Sequence, residues 1–141
     1  MKKDPEILIK SEIIKTIGTV LSSFKEIEIG YIFGSFVEEE KFEDIDIGLV
    51  VSEEFGPYEG MKFAMRVGRE LEKNIKPRYE VDVKILNLSP LDFQYQVIKK
   101  GEPVFIRNEL KRIRYEAQVL SLYLDYEETS EWLDREFLKR I

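Results

Sequence analysis

Three aspartates and a Gly-Ser turn are the residues of this chain best placed to do chemistry. Asp44-Ile45-Asp46 opens a strongly β-branched run that ends at Val51. In an extended strand residues two apart share a face, so both carboxylates project together while Ile45 and Ile47 point the other way. Like charges set side by side are costly unless water screens them or a cation sits between them. Asp82 adds a third acid between Val81 and Val83, in a run whose polar face is Glu80, Asp82 and Lys84. Upstream, Gly34-Ser35 directly follows another strand-like run, where a glycine lets backbone N–H groups approach an anion and a serine hydroxyl can donate to a phosphate oxygen. Combined, these pieces suit two-metal phosphoryl or nucleotidyl transfer, in which carboxylates hold cations about 3.5–4 Å apart against the attacking and leaving oxygens.

Composition narrows the alternatives. The 141 residues include no Cys and no His, which removes disulfides, thiolate zinc sites, cysteine nucleophiles, Ser-His-Asp triads and histidine metal ligands. A bound metal would be a hard cation held by oxygen: Mg²⁺, Mn²⁺ or Ca²⁺. With 28 Asp plus Glu against 22 Lys plus Arg, the net charge of −6 argues against duplex DNA as the main partner, because that binding depends on neutralising phosphates. There is no apolar run long enough to span a membrane, and Met1-Lys2-Lys3-Asp4-Pro5 lacks the apolar region of a secretory signal, so a cytoplasmic location is expected. Low Asn and Gln with abundant Glu, Lys and Ile resemble the composition of thermophile proteins.

The elements that must position these residues follow from periodicity. Asp4-Pro5 reads as a cap and first helical residue, followed by a helix with apolar positions from Leu8 through Val20 and Leu21 to Phe24. Ile27, Ile29, Tyr31 and Phe33 alternate as one face of a first strand, and residues 37–43 read as a loop or a short turn of helix. A second strand spans 44–51, a helix runs from the Gly56-Pro57 turn to about Ile75, and a third strand spans 79–86. Ser89-Pro90 is expected to cap a short helix ending at Gly101, with an edge strand over 103–106. Beyond Asn108 the stripe Leu110, Ile113, Ala117, Leu120, Leu124 predicts a helix packed on its own domain, with the polar segment 125–130 separating a last helix that carries Leu133, Phe137 and Ile141. The order predicts a small α/β domain around a mixed sheet.

As an ordered set, Phe33-Gly34-Ser35, Asp44-Ile45-Asp46-Ile47-Gly48-Leu49-Val50 and Val81-Asp82-Val83 resemble the minimal nucleotidyltransferases of the DNA polymerase beta-like superfamily, the antitoxin type included. The resemblance covers about residues 27–106. It implies a palm-like mixed sheet with flanking helices; the domain is read as residues 1–107, followed by a helical extension over 108–141 packed on the same domain or on a partner. It also implies nucleotidyl transfer, of an AMP group in the antitoxin type, from a nucleoside triphosphate to a protein or small-molecule acceptor. Carried over by position, Gly34 and Ser35 hold the triphosphate. Asp44 and Asp46 bind Mg²⁺, with Mn²⁺ an alternative, and Asp82 binds the catalytic metal and helps activate the acceptor hydroxyl. A HEPN-domain toxin is the partner that the antitoxin type implies.

Simpler readings stand beside these. An isolated Asp-x-Asp is usually a solvated strand end, and a lone Gly-Ser is usually a turn. Glu38, Glu39 and Glu40 replace the glycine and arginine expected after Gly34-Ser35 and oppose a triphosphate, with Lys41 the one cation in that loop. Arg66 and Arg69 could reach a phosphate or make surface ion pairs. Tyr115, Tyr123, Tyr126, Trp132 and Phe137 exceed what one helix face buries and suggest a homo-oligomeric or heteromeric surface. A catalytically weak protein that acts as a partner-binding module is therefore the alternative function.

Overall fold

The computed structural model describes residues 5–139, in the order α1 (Pro5–Ser22), β1 (Ile27–Phe33), α2 (Ser35–Glu38), β2 (Asp44–Val51), α3 (Pro57–Asn74), β3 (Glu80–Ile85), a 3-10 turn (Leu86–Leu88), α4 (Leu91–Lys100), β4 (Glu102–Ile106) and α5 (Glu109–Lys139). The expected Asp4 cap and Ile141 lie outside the described residues, as do the side chains of Leu8 and Phe137.

The strands form one mixed sheet in the order β3-β2-β1-β4. β1 is antiparallel to both β2 and β4, while β2 and β3 run parallel. Two parallel neighbours cannot be joined by a tight turn, and α3 supplies the crossover. On one face Ile45, Ile47 and Leu49 of β2 pack with Ile13, Ile17 and Leu21 of α1 and Phe63, Val67 and Leu71 of α3. Each such fully buried aliphatic contributes about 1.5–3 kcal/mol. The second face is smaller, built from Ile29, Tyr31, Val50, Leu86 and Val97.

Local departures from the sequence pattern have identifiable causes. A register shift between Ile27 and Ile29 breaks the alternation of β1, so Ile27 joins the larger cluster while Ile29 and Tyr31 bury on the other face and Phe33 packs beside them. Ser89 does not cap α4: its hydroxyl turns back and donates to the Ile85 carbonyl at 2.8 Å, leaving Pro90 at the N-cap position. α5 runs unbroken through 125–130, a segment with neither Gly nor Pro to stop it. Its stripe also faces the other way from expectation, since Leu110, Ile113, Leu120 and Leu124 are exposed. The face turned inward carries Tyr115, which donates to Gln94 Oε1 at 2.8 Å, buried Val119, and Tyr123, stacked on Tyr95 at 3.8 Å between ring centroids. Arg107, just past β4, donates to the carbonyls of Ser22, Phe24 and Ile27 and ties the end of α1 to the start of β1.

Candidate active site

Strand register gathers the residues singled out by sequence. Phe33 pairs with Asp46 across β1 and β2, and Asp46 pairs with Asp82 across β2 and β3, so the end of β1 and two aspartates form one row over three strands. Asp44, one pleat away, pairs with Glu80, which adds a fourth acid that spacing alone did not single out. Buried Ile45 and Ile47 fix the parity of β2 and so force both aspartates onto the opposite face.

Gly34 follows directly. Its φ of 75° lies in the left-handed region, and a Cβ there would sit 2.3 Å from Asp46 Oδ2. The backbone turn favours glycine, and the absent Cβ leaves the space that the Asp46 carboxylate occupies. Ser35 begins α2, whose first turn closes with the Val37 and Glu38 N–H groups donating to the Gly34 carbonyl at 3.1 Å.

The row opens on a cleft of about 700 Å³ lined by Asp44, Asp46, Arg78, Tyr79, Glu80 and Asp82, among others. Asp44 and Asp82 are exposed and Asp46 is half-buried. Burial holds the Asp46 carboxyl above its ordinary value, the charges of Asp82 and Asp44 raise it further, and Lys84 pulls it back. Lys84 Nζ lies 3.7 Å from Asp82 Oδ2. Among the described residues no three acidic side chains are drawn together closely enough to grip a metal ion as they stand. The donor set is nonetheless all carboxylate oxygen, with mutual repulsion that a divalent cation would relieve, and it fits a hard cation such as Mg²⁺.

The family model described as Polymerase beta, Nucleotidyltransferase matches residues 15–110, a span that contains all four strands and every residue of the row. The chain belongs to the polymerase beta nucleotidyltransferase family. No curated protein matches the sequence. Solved structures match over three quarters of the chain or more. One comes from tri-AMPylated Shewanella oneidensis HEPN toxin in complex with MNT antitoxin, with a TM-score of 0.63 and 16% identity over 94% of this chain and 98% of that one. Another, described as a toxin-antitoxin with AMP-PNP, has a TM-score of 0.67 and 16% identity over 89% and 98%. A putative nucleotidyltransferase from Sulfolobus solfataricus has a TM-score of 0.51 and 22% identity over 77% and 93%. At these identities the likeness is one of fold.

Within this nucleotidyltransferase fold, the structure also places residues that spacing did not reveal. Lys10 of α1 donates to the carbonyls of Phe36 and Glu39 at 2.7 and 2.6 Å, so the acidic loop holds a cation from a distant helix besides Lys41. Glu38, Glu39 and Glu40 are exposed. Glu72 of α3 accepts the Val81 N–H at 3.1 Å and pairs with Arg78 at 3.7 Å, closing one wall of the cleft. Neither contact has a sequence signal, because each joins residues whose proximity depends on how helices dock. Arg66 is committed elsewhere, paired with Glu26 at 3.4 Å and lying over Phe24 and Phe63. Arg69 lines an adjoining groove along β3 and is absent from the lining of the acidic cleft.

Proposed function

We propose that this chain is a Mg²⁺-dependent nucleotidyltransferase that moves an AMP group from ATP to a hydroxyl of a protein acceptor. The observation that carries it is the row itself: Asp46, its carboxyl raised by burial and by two neighbouring acids, is backed by a glycine in a left-handed turn, where any added Cβ would strain the backbone and displace the carboxylate. Asp44, Asp46 and Asp82 would hold the cation, which supplies charge neutralisation at the triphosphate. Gly34 and Ser35, at the turn into α2, would present backbone and hydroxyl donors to the phosphates. The acceptor oxygen forms a bond to the α-phosphorus, the bond between the α-phosphorus and the bridging oxygen to the β-phosphorus breaks, and pyrophosphate leaves. The hydroxyl proton passes to Asp82. The expected acceptor and partner is a HEPN-domain protein, since the solved structures of the same fold include an MNT antitoxin in complex with an AMPylated HEPN toxin.

A second reading, a partner-binding module with little catalysis, is favoured by one feature: the exposed stripe Leu110, Ile113, Leu120 and Leu124 along α5. Labelled ATP, Mg²⁺ and a candidate HEPN-domain acceptor separate the two. Transfer by the native protein and none by Asp46→Ala or Asp82→Ala is expected. Transfer that survives both substitutions would overturn the three-carboxylate mechanism, and a stable complex without nucleotide binding would favour the module. In parallel, millimolar Mg²⁺ or Mn²⁺ should raise the melting temperature by mass action, and Asp44→Asn should remove most of that rise.

A further inference from the structure

A second groove, about 550 Å³, runs along the outer edge of β3 and shares Glu72, Val81 and Asp82 with the acidic cleft. Its walls carry Met61 and Met65 of α3, Val83 and Ile85 of β3, and Leu88. Met61, Met65 and Leu88 are 54%, 51% and 45% exposed, an apolar surface made largely of flexible thioethers that adapt to differently shaped side chains. The strand beside them is an edge, bonded to β2 on one side only. At its two ends side chains take up outward-pointing backbone groups: Glu72 accepts the Val81 N–H, and the Ser89 hydroxyl donates to the Ile85 carbonyl. Residues two apart on a strand point their backbone groups to the same side, so Val83, midway between those two, presents its N–H and carbonyl to the groove.

We infer that this groove seats an extended segment of the acceptor polypeptide as a short added strand on β3, with an apolar side chain between the methionines and the reacting hydroxyl led to Asp82. This rests on the nucleotidyltransferase reading above and names where its protein substrate lies. Two features select a passing substrate over a permanent subunit. The open stretch between the Glu72 and Ser89 caps runs from the Val81 carbonyl to the Ile85 N–H, room for about two residue pairs, short for a stable interface but enough to set strand direction. The groove also runs on into the acidic cleft, so a chain bound in it has its next residues at the carboxylates.

The test titrates isotope-labelled protein with a blocked hexapeptide of alternating valine and threonine with one tyrosine, read by amide chemical shifts. Shifts at Val83 and Ile85, weakened about tenfold by Met65→Glu or Met61→Glu, are expected, a loss equal to about 1.4 kcal/mol. Both methionines are half-exposed, so the variants keep the fold, and an unchanged melting temperature checks this. Peptide shifts confined to β4 or α5, or affinity unaffected by either variant, would overturn the proposal. Self-association that Met65→Glu abolishes would overturn it in favour of a second copy. ATP-analogue binding with Mg²⁺ is measured on the same samples. Peptide shifts at β3 without nucleotide binding would leave the groove standing while the transferase reading falls, and nucleotide binding with β3 unmoved would do the reverse.

Discussion

The two faces of β2 are made from the same eight residues and do opposite work. Ile45, Ile47 and Leu49 are fully buried against α1 and α3, whereas Asp44 and Asp46 look out over an open cleft on the other side. One face stabilises the fold along its whole length, while the other does so only toward its end, where Val50 joins the smaller cluster. At its start that second face stores repulsion, because a half-buried carboxyl lies beside two more acids. The apolar parity of a single strand therefore fixes the position of the acids without any interaction among the acids themselves favouring that position.

Substitutions on each face test this division. On the packed face, Ile47→Ala should cost about 2–5 kcal/mol in urea denaturation, since it opens a cavity in close-packed surroundings. At the junction, Gly34→Ala should cost about 1–3 kcal/mol, from a left-handed backbone and a Cβ driven into the Asp46 carboxylate, and should also abolish the Mg²⁺-induced rise in melting temperature. A Gly34→Ala protein that keeps that rise would break the link between the turn and the acids. On the open face, Asp46→Asn should leave metal-free stability equal or slightly higher at neutral pH. The sign follows from the direction of its shift. A carboxyl whose folded value lies above its unfolded one contributes stability below the unfolded value and loses it as pH rises through the folded one. The stability difference between Asp46→Asn and the native protein should therefore grow as pH climbs from below to above the ordinary aspartate range, and thermal melts across that range measure it.

Much of this was legible in residue order. Strand period fixed the facing of Asp44, Asp46 and Asp82, and Pro and Gly marked most boundaries, because these are local steric rules. The parallel pairing that sets Asp46 beside Asp82 is not local. Residue order leaves Asp82 able to lie beside the first pair only if the two strands are neighbours, and it marks Gly34 as a place where backbone can approach an anion. That β2 and β3 pair in parallel, and that Gly34 faces a side chain twelve positions on, come from the fold. The β1 bulge, the hydroxyl of Ser89 turning back to Ile85, and the lysine that α1 lends to the acidic loop escaped because each depends on how separate elements dock. The inward face of α5 was missed for a related reason. A stripe of leucines marks an apolar face, but only packing decides whether that face or the tyrosine-bearing one meets the domain.

The crossover topology has a consequence for how the molecule comes to exist. Phe33 and Asp46, paired in the antiparallel ribbon, are 13 positions apart, while Asp46 and Asp82 are 36 apart with all of α3 between them. Closing the longer loop costs more chain entropy, so the ribbon is expected to form before β3 docks. The acidic row is then completed late, after the chain has paired the strands that hold its first two carboxylates. A newly made chain would consequently gain its fold nucleus before its acidic row, and if the row binds Mg²⁺ as proposed, refolding followed by both backbone protection and Mg²⁺ uptake should show the second lagging the first.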